Sequence, residues 1–482
     1  MSPEGPGAWS AGGTEALAVV VTAGVTPYLR RTLRALARQT VAPRTAIVVD
    51  VASRHNGLGD GTPVEEAVAA SGIGACTRVR VVRAPDAKGF GGAVSRGLAL
   101  YDELAGADPH APSPRRRRSE TRSGRSRGKN AGKRSEDRGD RGEQGWLWLL
   151  HDDSAPAADC LEALLTAVAE ARSAALVGPK QVDWDDPEQL LEVGLRTTAS
   201  ARRANDVVAG EIDQGQHDDR SDVLAVGTAG ALIDRAVWEE LGGTSPEFPV
   251  FNDGLELSRA VRLAGHRVVV VPQAVIRHRR AAYLGLRPAQ GGAAGRADAD
   301  GRPAVPQPHA ADPDPDRSFR ARRTAQLLAW ATFSTRPVGL LLTWFLILGA
   351  VRAAGRLLTK SPSLARAELG AALAVSRRGR GIRRGRRRLA AHATVRRSVL
   401  ARLYVNAADI RSVRRDRVRQ ERERIARAEA PSELELGELA ALARRRRLVL
   451  AGVLAVALLA TGVGLGAVTA AGAVTGGAGA GL

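Results

Sequence analysis

The sequence predicts an α/β fold built on a parallel sheet, followed by a C-terminal helical, membrane-associated region. Three observations predict it. Short β-branched apolar runs alternate with stretches of helical period as far as His278. One unbroken apolar run, Trp146–Leu150, leads through His151 into two adjacent carboxylates, Asp152 and Asp153. Two apolar stretches, 325–351 and 448–471, stand among dense arginine runs near the C-terminus.

Ala16–Thr22 (ALAVVVT) is the first strand, and Pro27 opens a helix in which Leu29, Leu33 and Leu36 share one face. Ala46–Val49 is the second strand, closed by Asp50; a βαβ unit of this kind builds a right-handed parallel sheet. Asp50 then stands at the carboxyl edge, where it can accept hydrogen bonds from a ribose or base, or serve as a plain turn residue. Val79–Arg83 is the third strand and leads into Lys88-Gly89-Phe90-Gly91-Gly92. Glycines there let a helix N-terminus approach a phosphate, although a tight loop asks for the same residues.

From 107 to 145 the chain is Arg-, Ser- and Gly-rich, with no apolar residue except alanine, and is expected to be a disordered insertion. Structure resumes with the WLWLL strand, buried on both faces. Adjacent carboxylates at its end repel unless a cation sits between them, and their oxygens suit Mg²⁺ or Mn²⁺. The plainer alternative is that one Asp caps the next helix (157–172) while the other is solvated. Further on, 176–179 is a strand end and 183–222 is loop with short strands. GTAGALID and the helix stopped by Gly242-Gly243 come next. A helix through Leu255 and Leu257–Leu263 ends at Gly265, Val268–Val271 is a strand, and His278 ends a last short strand.

Composition narrows the function. A length of 482 residues suffices for two or three domains, and 44% of them are apolar. The net charge of +20 points to an anionic partner: a nucleotide, a nucleic acid or a membrane surface. The cations are nearly all arginine, and the chain is also rich in alanine and glycine, so part of the excess reflects genome composition. The basic patches lack interleaved aromatics, which speaks against nucleic acid. Cys76 and Cys160 offer neither a disulfide framework nor zinc spacing. The start of the chain lacks the basic and apolar regions of a signal peptide.

Four stretches together resemble family 2 glycosyltransferases of the GT-A, Rossmann-like fold: VVVT…LRRTLRALARQT…IVVDVAS, KGFGGAVSRG, WLWLLHDDSAP, and FNDGLELSRAVRLAGHRVVVVP…RH. The resemblance spans 15–285, and the residues after 285 resemble those of a membrane-associated actinobacterial subgroup. It implies a nucleoside-diphosphate sugar donor, bound by Thr22, Asp50, Lys88, Gly91 and Asp152. It also implies a divalent metal, Mg²⁺ or Mn²⁺, on Asp153 and His278. Asp253 or Glu256 would be the base that takes the acceptor proton, and a single displacement would invert the anomeric centre. Asp253 could instead cap its helix, and His278 could be a surface residue in a basic run. The chain departs from the family pattern at His151 and Gly254, which stand where acidic residues are common. It departs also at Val51, in the usual VDN turn, and at Ser95, where Asn is common.

The expected organisation is a disordered 1–14, the transferase domain 15–285, a linker 286–324, re-entrant or interfacial membrane helices 325–351, a basic cytoplasmic helical region 352–447, a transmembrane helix 448–471 and a tail 472–482. Arg336-Pro337 breaks the first apolar stretch into halves too short to span, whereas 448–471 is long enough and comes just after Arg444–Arg447. The alternative for the first stretch is a helix pair packed on the catalytic domain. The expected function is a membrane-bound inverting glycosyltransferase with a cytoplasmic catalytic domain, acting on a lipid-linked or cell-envelope glycan acceptor. The alternative is a degenerate GT-A domain serving as a membrane scaffold.

Overall fold

The structure is a computed structural model and describes residues 16–52, 62–106, 145–204, 207–287, 313–428 and 437–456. The stretches 1–14 and 107–144, expected to be disordered, lie outside the described residues, as do 457–471 and the tail 472–482. The chain divides into two units, Met1–Ala407 and Ala408–Leu482.

Four strands form the parallel half of the sheet: β1 (Ala16–Thr22), β2 (Thr45–Asp50), β3 (Arg78–Arg83) and β4 (Trp146–His151), in the order β3-β2-β1-β4. Helices α1 (Leu29–Ala37), α2 (Val64–Ala69) and α3 (Gly89–Gly106) connect them. Side chains alternate between two cores. Val19, Ile47, Leu147 and Leu149 face one, and Val20, Val48, Trp148 and Leu150 face the other. Both faces are covered, so these strands read as unbroken apolar runs rather than as alternating ones.

The second half departs from the expected parallel sheet. The order continues through β8 (Leu232–Asp234), β6 (Ala174–Asp183), β9 (Arg267–His278) and β5 (Ser154–Pro156), with β7 (Leu190–Glu192) pairing β6. β8 runs antiparallel to both β4 and β6, and β5 antiparallel to β9. β8 is three residues long and is entered from a loop rather than a crossover helix, so nothing imposes a parallel direction. β9 is one strand where two were expected. It runs through Pro272 because the ladder to β6 skips there, from Pro179↔Val271 to Lys180↔Val275, and no amide is needed from the proline.

Helix α4 (Cys160–Glu170) joins α1 on one face, and α3, α5 (Arg235–Leu241) and α6 (Asp253–Leu263) cover the other. Helix α7 (Pro315–Phe333) begins inside the stretch read as linker. Ser334–Pro337 separates it from α8 (Val338–Leu358), after which come α9 (Pro362–Ser376) and α10 (Gly379–Ala391). Leu327, Leu328, Phe345, Val375, Ile382 and Leu389 of these helices join the α6 side of the core. Arg323 pairs with Glu368 between α7 and α9 at 2.9 Å, and across the seam Arg388 donates to the Leu241 carbonyl at 2.8 Å and the Thr394 amide to the Leu263 carbonyl at 2.7 Å. Helix α11 (Ala407–Ala428) opens the second unit, whose helical residues 437–456 carry exposed Leu448, Val449, Leu450 and Val453.

Candidate active site

The site lies where β4 stops. His151 is its last residue, Asp152 and Asp153 make the turn, and Ser154 starts β5 opposite His278 of β9. This antiparallel pairing brings the end of β9 across the double carboxylate. Both Asp residues are buried, Asp152 completely and Asp153 with 2% of its surface exposed.

Asp152 is held on both sides. Thr26 Oγ1 donates to its Oδ2 at 2.7 Å, Arg287 pairs closely with its Oδ1, and Thr32 Oγ1 donates to its carbonyl at 2.8 Å. Asp153 Oδ2 accepts the Ala281 amide at 2.9 Å. Among the described residues its buried Oδ1 has no hydrogen-bond partner. Facing that oxygen are His278 Nε2 at 3.7 Å, His151 Nδ1 at 4.0 Å and the Arg287 guanidinium at 3.1 Å. One ligand atom from each of His151, Asp153 and His278 lies within 4.8 Å of the others. Two imidazoles and a carboxylate are a donor set that fits a divalent transition-metal ion.

Burial would raise the Asp153 carboxyl, but Arg287, His278 and His151 outweigh it and hold Asp153 well below the usual carboxylate range. Burial pushes Asp152 up against the pull of Arg287. Burial also pushes His151 down to about 3, so its ring is neutral, the form that binds metals.

Across from this cluster stands Asp253, the first residue of α6. Asn252, not Asp253, occupies the N-cap, and the Asp253 carboxylate instead accepts from Thr228 Oγ1 at 3.0 Å. Thr228 Oγ1 is also 3.1 Å from His151 Nε2, so one hydroxyl joins Asp253 to the His151–Asp153–His278 cluster. Burial pushes the Asp253 carboxyl up to about 6. The departure at Gly254 has a packing reason: a Cβ there would stand 2.5 Å from the Val226 carbonyl and 3.1 Å from the Thr228 amide. Glu256, one turn along, is buried and accepts the Ser245 amide at 3.3 Å; burial raises it as well.

The remaining expected residues lie along the same edge. Thr22 is buried and donates to the Gly24 carbonyl at 2.6 Å. Asp50 Oδ1 accepts the amides of Gly24 at 2.9 Å and Ala52 at 2.8 Å, tying together the ends of β1 and β2. Lys88 is exposed. Gly91 packs against Thr244, whose Oγ1 would stand 1.7 Å from an added Cβ, so close helix packing by itself demands glycine there. Between them, the Phe90 ring lies 4.2 Å from that of His151 and brings the glycine loop onto the site.

Sequence reasoning missed four members: His151 as a ligand, Thr228, Gln181, which is 2.9 Å from His278 Nδ1, and Arg287. His151 was legible as a donor beside two carboxylates. Nothing in the sequence distinguished the other three, which arrive from separate elements.

Comparison with known proteins matches most of this stretch of the chain to a family. The description "Glycosyltransferase like family 2" matches residues 15–293. No curated protein matches the chain. Among solved structures, GalNAc-T7 with UDP, GalNAc and Mn²⁺ is 13% identical with a TM-score of 0.37; the match covers 66% of this chain and 50% of that one. S. aureus TarS is 9% identical with a TM-score of 0.36, over 79% of this chain and 54% of that one. The chain thus spans about half the length of these two structures. TarS 1–349 with UDP is 11% identical with a TM-score of 0.35, over 77% of this chain and 92% of that one. A mixed α/β sheet with acidic residues at the end of its central strand, matched over more than half of the chain, identifies this protein as a member of glycosyltransferase-like family 2.

Proposed function

We propose that this chain transfers a sugar, with inversion, from a nucleoside-diphosphate sugar to a lipid-linked or cell-envelope glycan acceptor at the cytoplasmic face of a membrane. The observation that carries the reading is the pairing of a buried, proton-hungry carboxylate, Asp253, with the His151–Asp153–His278 donor set through a single hydroxyl. Bound by those three residues, a divalent cation supplies positive charge for the diphosphate leaving group. Asp253, at about 6, is ionised at neutral pH and basic enough to take a proton from an acceptor hydroxyl. Arg287 pairs with both Asp152 and Asp153 and stands ready to face the diphosphate. Asp50 and the Lys88–Gly91 loop lie along the same edge for the nucleotide. Two nitrogen ligands favour Mn²⁺ over Mg²⁺, which takes oxygen donors.

The membrane part rests on α8, which among the described residues is the one helix long and apolar enough to cross a bilayer. Leu340, Trp344, Ile347 and Val351 form one exposed stripe along it. Both flanks of α8 pack on the same body: α7 joins the α6 side of the core, and α10 and Thr394 bond to Leu241 and Leu263. A helix anchored on one side at both ends suits an interfacial position, with the stripe in the lipid and the surrounding arginines at the headgroups. The stretch 448–471 is the proposed span.

The test is binding of a panel of nucleoside diphosphates to the full chain, with and without Mn²⁺, in wild type and Asp153→Ala. Metal-dependent binding that is lost in Asp153→Ala, with severe loss of turnover in Asp153→Ala and Asp253→Asn, is the expected result. Absence of binding to every nucleotide would turn the reading to a non-catalytic scaffold.

A further inference from the structure

His151 and His278 approach Asp153 Oδ1 with different ring nitrogens, Nδ1 at 4.0 Å and Nε2 at 3.7 Å. A ring nitrogen takes a metal only through a free lone pair, so in a neutral imidazole the proton must sit on the other nitrogen. In both rings that other nitrogen has, among the described residues, one side-chain partner, and each partner's polarity is set by its own chemistry and contacts.

For His151 the partner is Thr228, with Nε2 to Oγ1 at 3.1 Å. A threonine hydroxyl has one proton, and Thr228 donates it to Asp253 Oδ2 at 3.0 Å. An ionised carboxylate only accepts, so the direction of that bond is set. Thr228 Oγ1 is left to accept, and His151 must offer Nε2–H. For His278 the partner is Gln181 of β6, with Oε1 2.9 Å from Nδ1. An amide oxygen only accepts, so His278 must offer Nδ1–H. The two histidines thus carry opposite tautomers, and the two lone pairs converge on Asp153 Oδ1, which among the described residues has no hydrogen-bond partner.

We propose that Thr228 and Gln181 are positioning residues that hold His151 and His278 in opposite tautomers, each presenting its free lone pair beside Asp153 Oδ1. The inference rests on the proposed metal site of His151, Asp153 and His278. It adds that Thr228 serves both halves of the site. The same hydroxyl that orients His151 also orients Asp253, so the acceptor side and the metal side are aligned by one group.

The test begins with metal-free full chain labelled with ¹⁵N at histidine, the eight residues being assigned by single His→Asn variants. Ring nitrogen shifts are expected to report Nε2–H for His151 and Nδ1–H for His278. In Thr228→Val, His151 should populate both tautomers and Mn²⁺ alone should bind roughly 10–100-fold more weakly, as for other outer-shell partners of metal-bound histidine. Thr228→Ser should restore both properties. Gln181→Leu should release His278 in the same way, and Gln181→Glu should retain Nδ1–H. The opposite tautomer at either histidine of the wild type overturns the proposal, and needs no variant to fold. So does a Thr228→Val protein with unchanged tautomer and unchanged Mn²⁺ affinity. Absence of Mn²⁺ binding by the wild type, with both tautomers as assigned, overturns the metal reading and leaves the roles of Thr228 and Gln181 standing.

Discussion

Replacing Asp253 by asparagine should stabilise the protein while stopping turnover. The substitution keeps the shape and an acceptor for Thr228, and removes a charge from a carboxyl with 7% of its surface exposed. The size of the effect comes from burial. The carboxyl rises from its ordinary 3.8 to about 6. At about 1.4 kcal/mol for each tenfold change in ionisation, the folded chain gives up about 3 kcal/mol to hold Asp253 ionised. Because the folded value is the higher one, the wild type has its full relative stability below about pH 4 and loses it as pH rises through about 6. Urea unfolding of the two proteins should therefore give nearly equal stability at pH 4 and an advantage approaching ~3 kcal/mol for Asp253→Asn above pH 7. Loss of a general base should lower kcat by about 10²–10⁴-fold. Wild-type turnover should fall about tenfold per pH unit below pH 6, as Asp253 takes up its proton. An Asn variant no more stable at pH 8, or equally stabilised at pH 4 and pH 8, would refute the claim that Asp253 is held as a strained buried charge.

Three further outcomes are expected. Arg287→Ala leaves two buried carboxylates without their cation and should cost about 3–5 kcal/mol in chelator, with Mn²⁺ recovering part of it; equal stability of variant and wild type in EDTA would contradict the pairing. Gly254→Ala drives a methyl against the Val226 carbonyl, which as backbone cannot yield, and should cost about 1–3 kcal/mol in urea unfolding together with turnover; a variant of wild-type stability would refute the packing explanation for glycine. Trp344→Ser combined with Ile347→Ser should reduce flotation of the full chain with anionic vesicles, and unchanged flotation would count against α8 as the lipid-facing element.

Much of the sheet was legible because its strands are buried on both faces. β1 coincides with the ALAVVVT run, and β2, β3 and β4 depart from their expected ends by a residue or less, since an unbroken apolar run has only one place to go. The antiparallel strands were not legible. Leu232–Asp234 sits in a run of small residues, and its direction depends on where the preceding loop enters the sheet. Two strands were expected where β9 is one, because a skipped register at Pro272 has no signature in one chain. In the site, Asp152, Asp153 and His278 announced themselves by position at strand ends. Thr228, Gln181 and Arg287 are ordinary polar residues whose meaning comes from contacts made far along the chain. Gly254 looked like a loss of function beside a candidate base, yet it packs against the very segment that carries Thr228.

The short strand β5 pairs with the far end of β9, and the Asp153 carboxylate bonds to an amide 128 residues further along the chain. During synthesis on the ribosome, the first four strands emerge long before their counterparts. Until Arg287 has left the exit tunnel, Asp152 and Asp153 stand side by side without the guanidinium that pairs with them. A chain that ends between His278 and Arg287 therefore has every strand of the sheet but keeps an open acidic corner at its rim. Closure of that corner marks the completion of the sheet, before helices α7–α10, which pack on its α6 side, have been made.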